Sequence, residues 1–303
     1  MIDNIRLELE DHSFKCQIVS VVHVKEIQQE IQERYLQKYF CREFYKERLA
    51  AFKFRLPRQL PKAKSLIIAA YPQPELRMIF NWNGKPHKVS LPPTYIHYPN
   101  ARLERLLSNL LKPYGFQVAK TVLPLKLLAV RSGLGSFGKN NICYLPTWGS
   151  FHRLMAFFSD LPGEDEIWSE STMMRQCRNC TACLRACPTG AITSERFLIR
   201  AERCLTFLNE KKGRFPSWVD PSWHHCLFGC MRCQETCPLN KQVKNWIEDR
   251  EEFTEQETAL IMKKVPLGQI PASTRKKIEG LCMTDEYELW SRNLSFLFMN
   301  AFP

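Results

Sequence analysis

Hydrophobic and polar positions change period several times along this chain. Residues 14–22 (FKCQIVSVV) are rich in β-branched side chains and predict a strand. From Val24 to Phe52 apolar residues recur at Val24, Ile27, Ile31, Tyr35, Tyr39, Phe40 and Phe44, a helical spacing over a span long enough to predict a break near its middle. Residues 65–71 (SLIIAAY) form a short apolar run bounded by charge and prolines, which predicts a buried strand. Residues 78–82 and 88–91 flank Asn83-Gly84, a pair that tolerates the positive φ values of a tight hairpin turn.

Asn100 is the expected N-cap of a helix carrying Leu103, Leu106, Leu107, Leu110 and Leu111 on one face and ending near Gly115. Residues 117–123, 142–144 and 153–160 are strand-like. Strands and helices mixed without strict βαβ alternation predict an α+β domain with mainly antiparallel pairing. An acidic stretch at 162–171 reads as a linker. Charged helices are expected over 242–253 and 256–264, with another around 275–280. The expected division is therefore a first domain over 1–170, a cysteine-rich domain over 171–241 and a short helical tail over 242–303.

The cysteines carry the chemistry. Cys177, Cys180, Cys183 and Cys187 are spaced C-x2-C-x2-C-x3-C before Pro188, and Cys230, Cys233 and Cys237 are spaced C-x2-C-x3-C before Pro238. In the bacterial ferredoxin pattern three cysteines of such a run hold one [4Fe–4S] cluster and the fourth reaches across to a second. Crossing over places cluster 1 on Cys177, Cys180, Cys183 and Cys237. Cluster 2 then takes Cys187, Cys230, Cys233 and one more cysteine, which spacing alone leaves as either Cys204 or Cys226. Paired cysteines also hold structural zinc, but zinc does not explain seven cysteines in two runs that each end in Cys-Pro. Disulfides would need an oxidising compartment, and no secretory signal accompanies them. Cys16, Cys41, Cys143 and Cys282 are scattered and read as small buried hydrophobes.

Bulk properties add bounds. The 303 residues are 45% hydrophobic and 24% charged, ordinary for a globular protein, and their formal charge is +12. That excess favours polyanionic partners or an acidic electron donor through steering. Residues 1–13 are polar and acidic without an apolar core, and no apolar run is long enough to span a bilayer, so a cytoplasmic protein without a membrane partner is expected. The stretch from Arg42 to Lys64 carries eight lysines and arginines against two glutamates. It reads either as a solvated helix face or as a patch for an anion such as tRNA, with Phe40, Phe44, Tyr45, Phe52 and Phe54 as base-stacking candidates or as core. Gly133, Gly135 and Gly138 match G-x-G-x-x-G, but Lys139, Asn140, Asn141 and Pro146 follow where a dinucleotide fingerprint would open a helix. A glycine loop that turns or lets backbone approach another ligand is the better reading. His224 and His225, beside Cys226, read as structural.

The segments Ala70-Tyr-Pro-Gln-Pro74, Arg131-Ser-Gly-Leu-Gly135, Gly133 to Asn140, Ser159-Asp-Leu-Pro162, Cys187 to Ile192, Cys204 to Glu210 and Gly229 to Pro238 together resemble the epoxyqueuosine reductase group. These are cobalamin-dependent iron–sulfur enzymes related to reductive dehalogenases, and this chain looks like a divergent paralogue of them. The resemblance implies a nitroreductase-like corrinoid-binding domain followed by a two-[4Fe–4S] ferredoxin-like module. It implies Cys204 as the eighth cluster ligand and Gly133, Gly135, Ser136, Phe137, Gly138, Lys139 and Asn140 as the cofactor-binding loop. By the same resemblance the partners are a low-potential donor such as ferredoxin or flavodoxin, with tRNA epoxyqueuosine as one candidate substrate. The family's acidic proton donor falls at Thr121, and a hydroxyl is a far weaker general acid near neutral pH. The family's Asp-Tyr-His stretch is also absent, and a hairpin around Asn83-Gly84 is inserted. Two functions follow: a corrinoid-dependent reductase, or an electron-transfer or corrinoid-reducing protein with no organic substrate of its own.

Overall fold

The computed structural model describes residues 2–163 and 168–299. In chain order these form α1 (Ile2–Asp11), β1 (Lys15–Ser20), α2 (His23–Leu36), the short α3 (Arg42–Phe44) running into a π-helical turn (Tyr45–Leu49), β2 (Ser65–Pro72), β3 (Glu75–Trp82) and β4 (Lys85–Leu91). There follow α4 (Tyr98–Leu111), β5 (Val118–Lys120), α5 (Leu125–Arg131), β6 (Ser136–Phe137), β7 (Cys143–Tyr144) and β8 (His152–Ser159). The cysteine-rich part contributes α6 (Ala182–Ala186), α7 (Leu205–Glu210) and α8 (Arg232–Glu235). Last come β9 (Ile247–Phe253), α9 (Glu255–Met262), α10 (Ala272–Gly280) and α11 (Tyr287–Met299). Among the described residues no helix is long and apolar enough to cross a membrane.

The first sheet runs β1-β2-β8-β5 with every pair antiparallel. β2 is apolar at consecutive positions because both its faces are covered. Leu66, Ile68 and Ala70 join the core under α2 and α5, whereas Ile67 and Ala69 join the one under α1 and α4. The α2 pattern breaks after Leu36, and helical structure resumes at Arg42. α4 begins at Tyr98, earlier than expected, with His97 as its N-cap. Pro99 is tolerated in the first turn, where a missing N–H costs nothing, and Asn100 instead accepts from Arg153 Nε at 3.3 Å.

The second sheet runs β4-β3-β9. Asn83 (φ 51°) and Gly84 (φ 69°) make the two-residue turn between β3 and β4, and the Glu255 carboxylate accepts from both of their N–H groups. The charged helix expected over 242–253 is replaced by β9, which pairs in parallel with β3. Pairing with an available edge overrides helix propensity here. Phe253 stacks on Phe80 with ring centroids 4.5 Å apart, while Glu248, Asp249 and Arg250 stay exposed along the outer edge. α9 carries a capping box between Thr254 and Glu257. α11, which falls within the expected helical tail but beyond the helices delimited there, buries Trp290 completely against Phe80 and Phe253. The C-terminal residues thus share a core with the hairpin.

The acidic stretch at 162–171 lies partly outside the described residues. Its later part is bound to the first domain. Trp168 stacks on His23 and donates to Glu26 at 2.7 Å, and Ser171 donates to Glu30 at 2.6 Å. Arg131 bridges Glu26 and Glu30 at 2.9 and 2.7 Å beneath the Trp168 ring.

Candidate cluster and cofactor site

Two loops followed by short helices bring the cysteines together, with α6 packed beside α8. Cys177, Cys180, Cys183 and Cys237 line one small cavity of about 20 Å³, together with Gly138, Lys139, Asn140, Tyr144 and Pro238. Cys187, Cys204, Cys230 and Cys233 line part of a second cavity of about 590 Å³. Cys226 is 1% exposed, packs with Phe151 and Met231, and is not among the residues lining either cavity.

Burial dominates the electrostatics. It pushes the Cys183 thiol up to about 11 and the Cys230 thiol up to about 12, each raised further by neighbouring cysteines. Cys204 and Cys233 are raised by burial as well. Cys177, Cys183, Cys204, Cys230 and Cys233 resist ionising unaided, because each thiolate would be desolvated beside others of its own sign. A bound metal supplies the compensating charge and takes the protons' place. Among the described residues no three His, Cys, Asp or Glu side chains converge on a point that one ion could fill. A cluster differs from a single tetrahedral zinc in spreading its four thiolates over four irons. The donor set therefore fits iron–sulfur clusters.

The glycine loop holds these cysteines in place. Gly133 (φ 75°) ends α5 in the left-handed conformation that glycine adopts without strain. A Cβ on Gly135 would lie 2.6 Å from Cys143 Sγ, and one on Gly138 would lie 2.7 Å from both Asn140 Oδ1 and the Tyr144 ring. Lys139 Nζ donates to the Cys180 carbonyl at 2.6 Å, and its backbone N–H bonds the Cys177 sulfur. Asn140 Nδ2 donates to the Tyr144 hydroxyl at 2.9 Å and to the Cys233 carbonyl at 3.5 Å. Asn141 bonds the Phe197 carbonyl and the Ile199 N–H in the loop between the two cysteine runs. Of the seven loop residues expected at the cofactor, Phe137 and Asn140 line the large cavity. Gly138, Lys139 and Asn140 line the small one, and Gly133, Gly135 and Ser136 line neither. The second cysteine run is fixed separately by Asn240, which bonds the Ser150 backbone, the Ser150 hydroxyl and the Gln234 carbonyl.

The large cavity is walled by apolar side chains, including Phe40, Phe44, Phe52 and Leu123, and its size is that of a small-molecule or cofactor pocket. Those three phenylalanines of the basic stretch are wall residues, and Tyr45 stacks on Tyr35. Polar and charged side chains also line it, among them Arg34, Arg48, Lys126 and Arg232. Glu210, the one carboxylate among the described lining residues, accepts from the Tyr95 hydroxyl and pairs with Arg48 at 3.1 Å. Arg153 is mostly buried and donates to the Thr94 carbonyl and to Asn100. His152 is 5% exposed with Nδ1 unpartnered, and burial lowers its pKa to about 4, so the ring is neutral at physiological pH. Thr121 does not reach this cavity; its hydroxyl donates to the Ala156 carbonyl of β8 at 3.1 Å. Sequence reasoning missed His152, Arg153 and Tyr144, since each gains its position from strand alternation and partners distant in the chain. Glu210 lies within a recognised motif but stood out there only as part of it.

Residues 176–240 match the family described as 4Fe-4S double cluster binding domain. An epoxyqueuosine reductase of Bacillus subtilis is 37% identical over 116 residues, 38% of this chain and 29% of that protein. One of Leadbetterella byssophila is 27% identical over 256 residues, 77% of this chain and 76% of that protein. The matched stretch thus spans under one third of the first relative's length. A crystal structure of an epoxyqueuosine reductase with a tRNA-Tyr epoxyqueuosine-modified stem loop superposes with a TM-score of 0.65 at 22% identity, covering 99% of this chain and 81% of that one. In sequence and fold, then, the chain is epoxyqueuosine reductase-like and carries a 4Fe–4S double cluster binding domain.

Proposed function

We propose that this protein is an iron–sulfur oxidoreductase that passes electrons through two [4Fe–4S] clusters to a cobalamin-type cofactor for a two-electron reduction. Cys177, Cys180, Cys183 and Cys237 would hold one cluster, and Cys187, Cys204, Cys230 and Cys233 the other. The observation that carries the reading is that the second group of thiols forms part of the wall of the large cavity. A cluster held there would lie beside whatever the cavity binds, and the other four cysteines line the separate small cavity. When bound, the corrinoid supplies a metal centre able to deliver an electron pair to an organic substrate.

The chain's own residues bind, orient and exclude water. Phe40, Phe44, Phe52 and Leu123 give the cavity an apolar wall, which strengthens every charge interaction inside it. Lys139, Asn140 and Asn141 clamp the cysteine loops to the first domain, fixing the distance between thiols and cavity. Glu210 accepts a hydrogen bond from the Tyr95 hydroxyl and pairs with Arg48 at 3.1 Å, which fixes its carboxylate at the cavity wall.

Anaerobic protein reconstituted with iron, sulfide and cobalamin tests the reading. Retention of corrinoid at one per chain, with cobalt reduced when the clusters are reduced, supports it; a cavity that retains no corrinoid removes it. The relatives' name and the bound stem loop of the solved structure make tRNA epoxyqueuosine the first substrate to try. The position of Thr121 favours a second reading, a corrinoid-reducing or electron-transfer protein. Cobalt cycling without turnover of any epoxide distinguishes it.

A further inference from the structure

The two cysteine groups differ in what surrounds them. One forms part of the cavity wall; the other is capped by Lys139, Asn140 and Tyr144 on its inner side and borders exposed chain elsewhere. Arg175, Arg178 and Arg185 are exposed on the loop and helix that carry Cys177, Cys180 and Cys183, and Lys241 and Lys244 are exposed just after Cys237. Among the described residues none of these five side chains forms an ion pair. Glu235, the acid of the second run, is turned to His225 at 3.7 Å, and of the exposed acids that follow Trp246, Glu248 pairs with Arg250 at 2.9 Å. Two apolar side chains are exposed in the same segment as Lys241 and Lys244, just after Cys237: Leu239 is 38% exposed and Trp246 41%. Cations around a small apolar centre form the usual anatomy of a transient docking patch, with charge setting encounter and the apolar centre setting residence.

We infer that this surface, formed by Arg175, Arg178, Arg185, Leu239, Lys241, Lys244 and Trp246, docks an acidic one-electron carrier protein of the ferredoxin type. The inference rests on the cluster assignment proposed above and adds where electrons enter. One electron leaves the reduced carrier and reduces the cluster held by Cys177, Cys180, Cys183 and Cys237; no bond is made and no proton moves. Charge complementarity names the occupant. Unpaired cations over a buried redox centre attract a partner that presents carboxylates around its own centre, and steering of this kind raises association rates 10- to 1,000-fold at low salt. A nucleic acid would be drawn by the same cations; single strands call for a run of aromatic faces, of which the patch offers Trp246 alone, and a helical stem bound through its phosphates is the outcome the tRNA comparison below reads.

The test uses anaerobic holoprotein and an acidic [2Fe–2S] ferredoxin. Binding is followed by calorimetry at low and high salt, and cluster reduction by visible bleaching in stopped flow. The triple variant Arg178→Glu, Lys241→Glu, Lys244→Glu is compared with Lys53→Glu, Arg58→Glu, Lys62→Glu, which changes net charge equally in the other basic stretch. Docking at this patch predicts at least tenfold weaker binding and slower bleaching for the first variant, less than twofold change for the second, and salt sensitivity lost with the first alone. Equal effects of the two variants, or none, overturn the proposal. So does a result in which the first variant loses affinity for total tRNA while ferredoxin binding stays intact. Bleaching by dithionite is the separate control: its absence would refute the clusters themselves, while the binding comparison still reads the patch.

Discussion

The Asn140 side-chain amide donates to the Tyr144 hydroxyl at 2.9 Å, and that hydroxyl in turn bonds the Cys237 sulfur. Burial pushes the Tyr144 phenol far above its ordinary range, so it remains a donor at any working pH. Hydrogen bonds to cluster sulfurs stabilise the more negative, reduced state and raise the potential. Tyr144→Phe therefore lowers the midpoint of one cluster by about 40 mV, for a bond worth about 1 kcal/mol more in the reduced state. Redox titration followed by electron paramagnetic resonance measures this, with iron content unchanged. An unshifted midpoint would show that the hydroxyl only fills space.

Gly135 and Gly138 are required by packing. Neither has positive φ, yet a Cβ on either would meet neighbouring atoms at 2.6–2.7 Å. Gly135→Ala costs about 1–3 kcal/mol of stability through overpacking against Cys143. Gly138→Ala costs a similar amount and also displaces Asn140 and Tyr144, so it should lose iron from the group containing Cys237. Thermal unfolding and iron analysis on the same samples separate the two effects.

Thr121 is a structural hydroxyl. Its bond to the Ala156 carbonyl predicts that Thr121→Val costs roughly 1 kcal/mol and leaves the rate of cluster reduction untouched. Thr121→Asp destabilises more, because a carboxylate would face a carbonyl oxygen. A gain of epoxide reduction in Thr121→Asp would contradict the placement.

His152 makes stability depend on pH in one direction. Its pKa is lowered from 6.5 to about 4 by burial, so the folded protein resists charging a ring that the unfolded chain charges freely. The contribution is fully present above pH 6.5 and is lost as pH falls toward 4, amounting to about 2 kcal/mol at pH 5. The loss in melting temperature between pH 7 and pH 5 should be smaller in His152→Phe than in the parent. Identical losses would mean that other groups dominate.

Features set by local chemistry were legible in the sequence. β2 was visible as an apolar run because both its faces are buried, and Asn83-Gly84 marked its turn because few other pairs accept two positive φ values. The cysteine spacing pointed to clusters because each run must wrap a compact group of irons. What the sequence concealed depends on partners far along the chain. Residues 247–253 carry helix-forming charges and become a strand because β3 offers an edge and Phe80 a stacking face. The glycine loop resembled a cofactor cradle, yet Lys139, Asn140 and Asn141 spend their polar groups on the cysteine domain. His152 looks ordinary in a strand until alternation places it at the cavity.

Iron and acid-labile sulfide, measured per chain on anaerobically purified protein and its cysteine variants, test the account most directly. Two clusters predict about eight of each, retained in Cys226→Ala and roughly halved in Cys204→Ala. Bound zinc, about four irons in the parent, or a Cys226→Ala protein that loses a cluster while Cys204→Ala keeps both would contradict it.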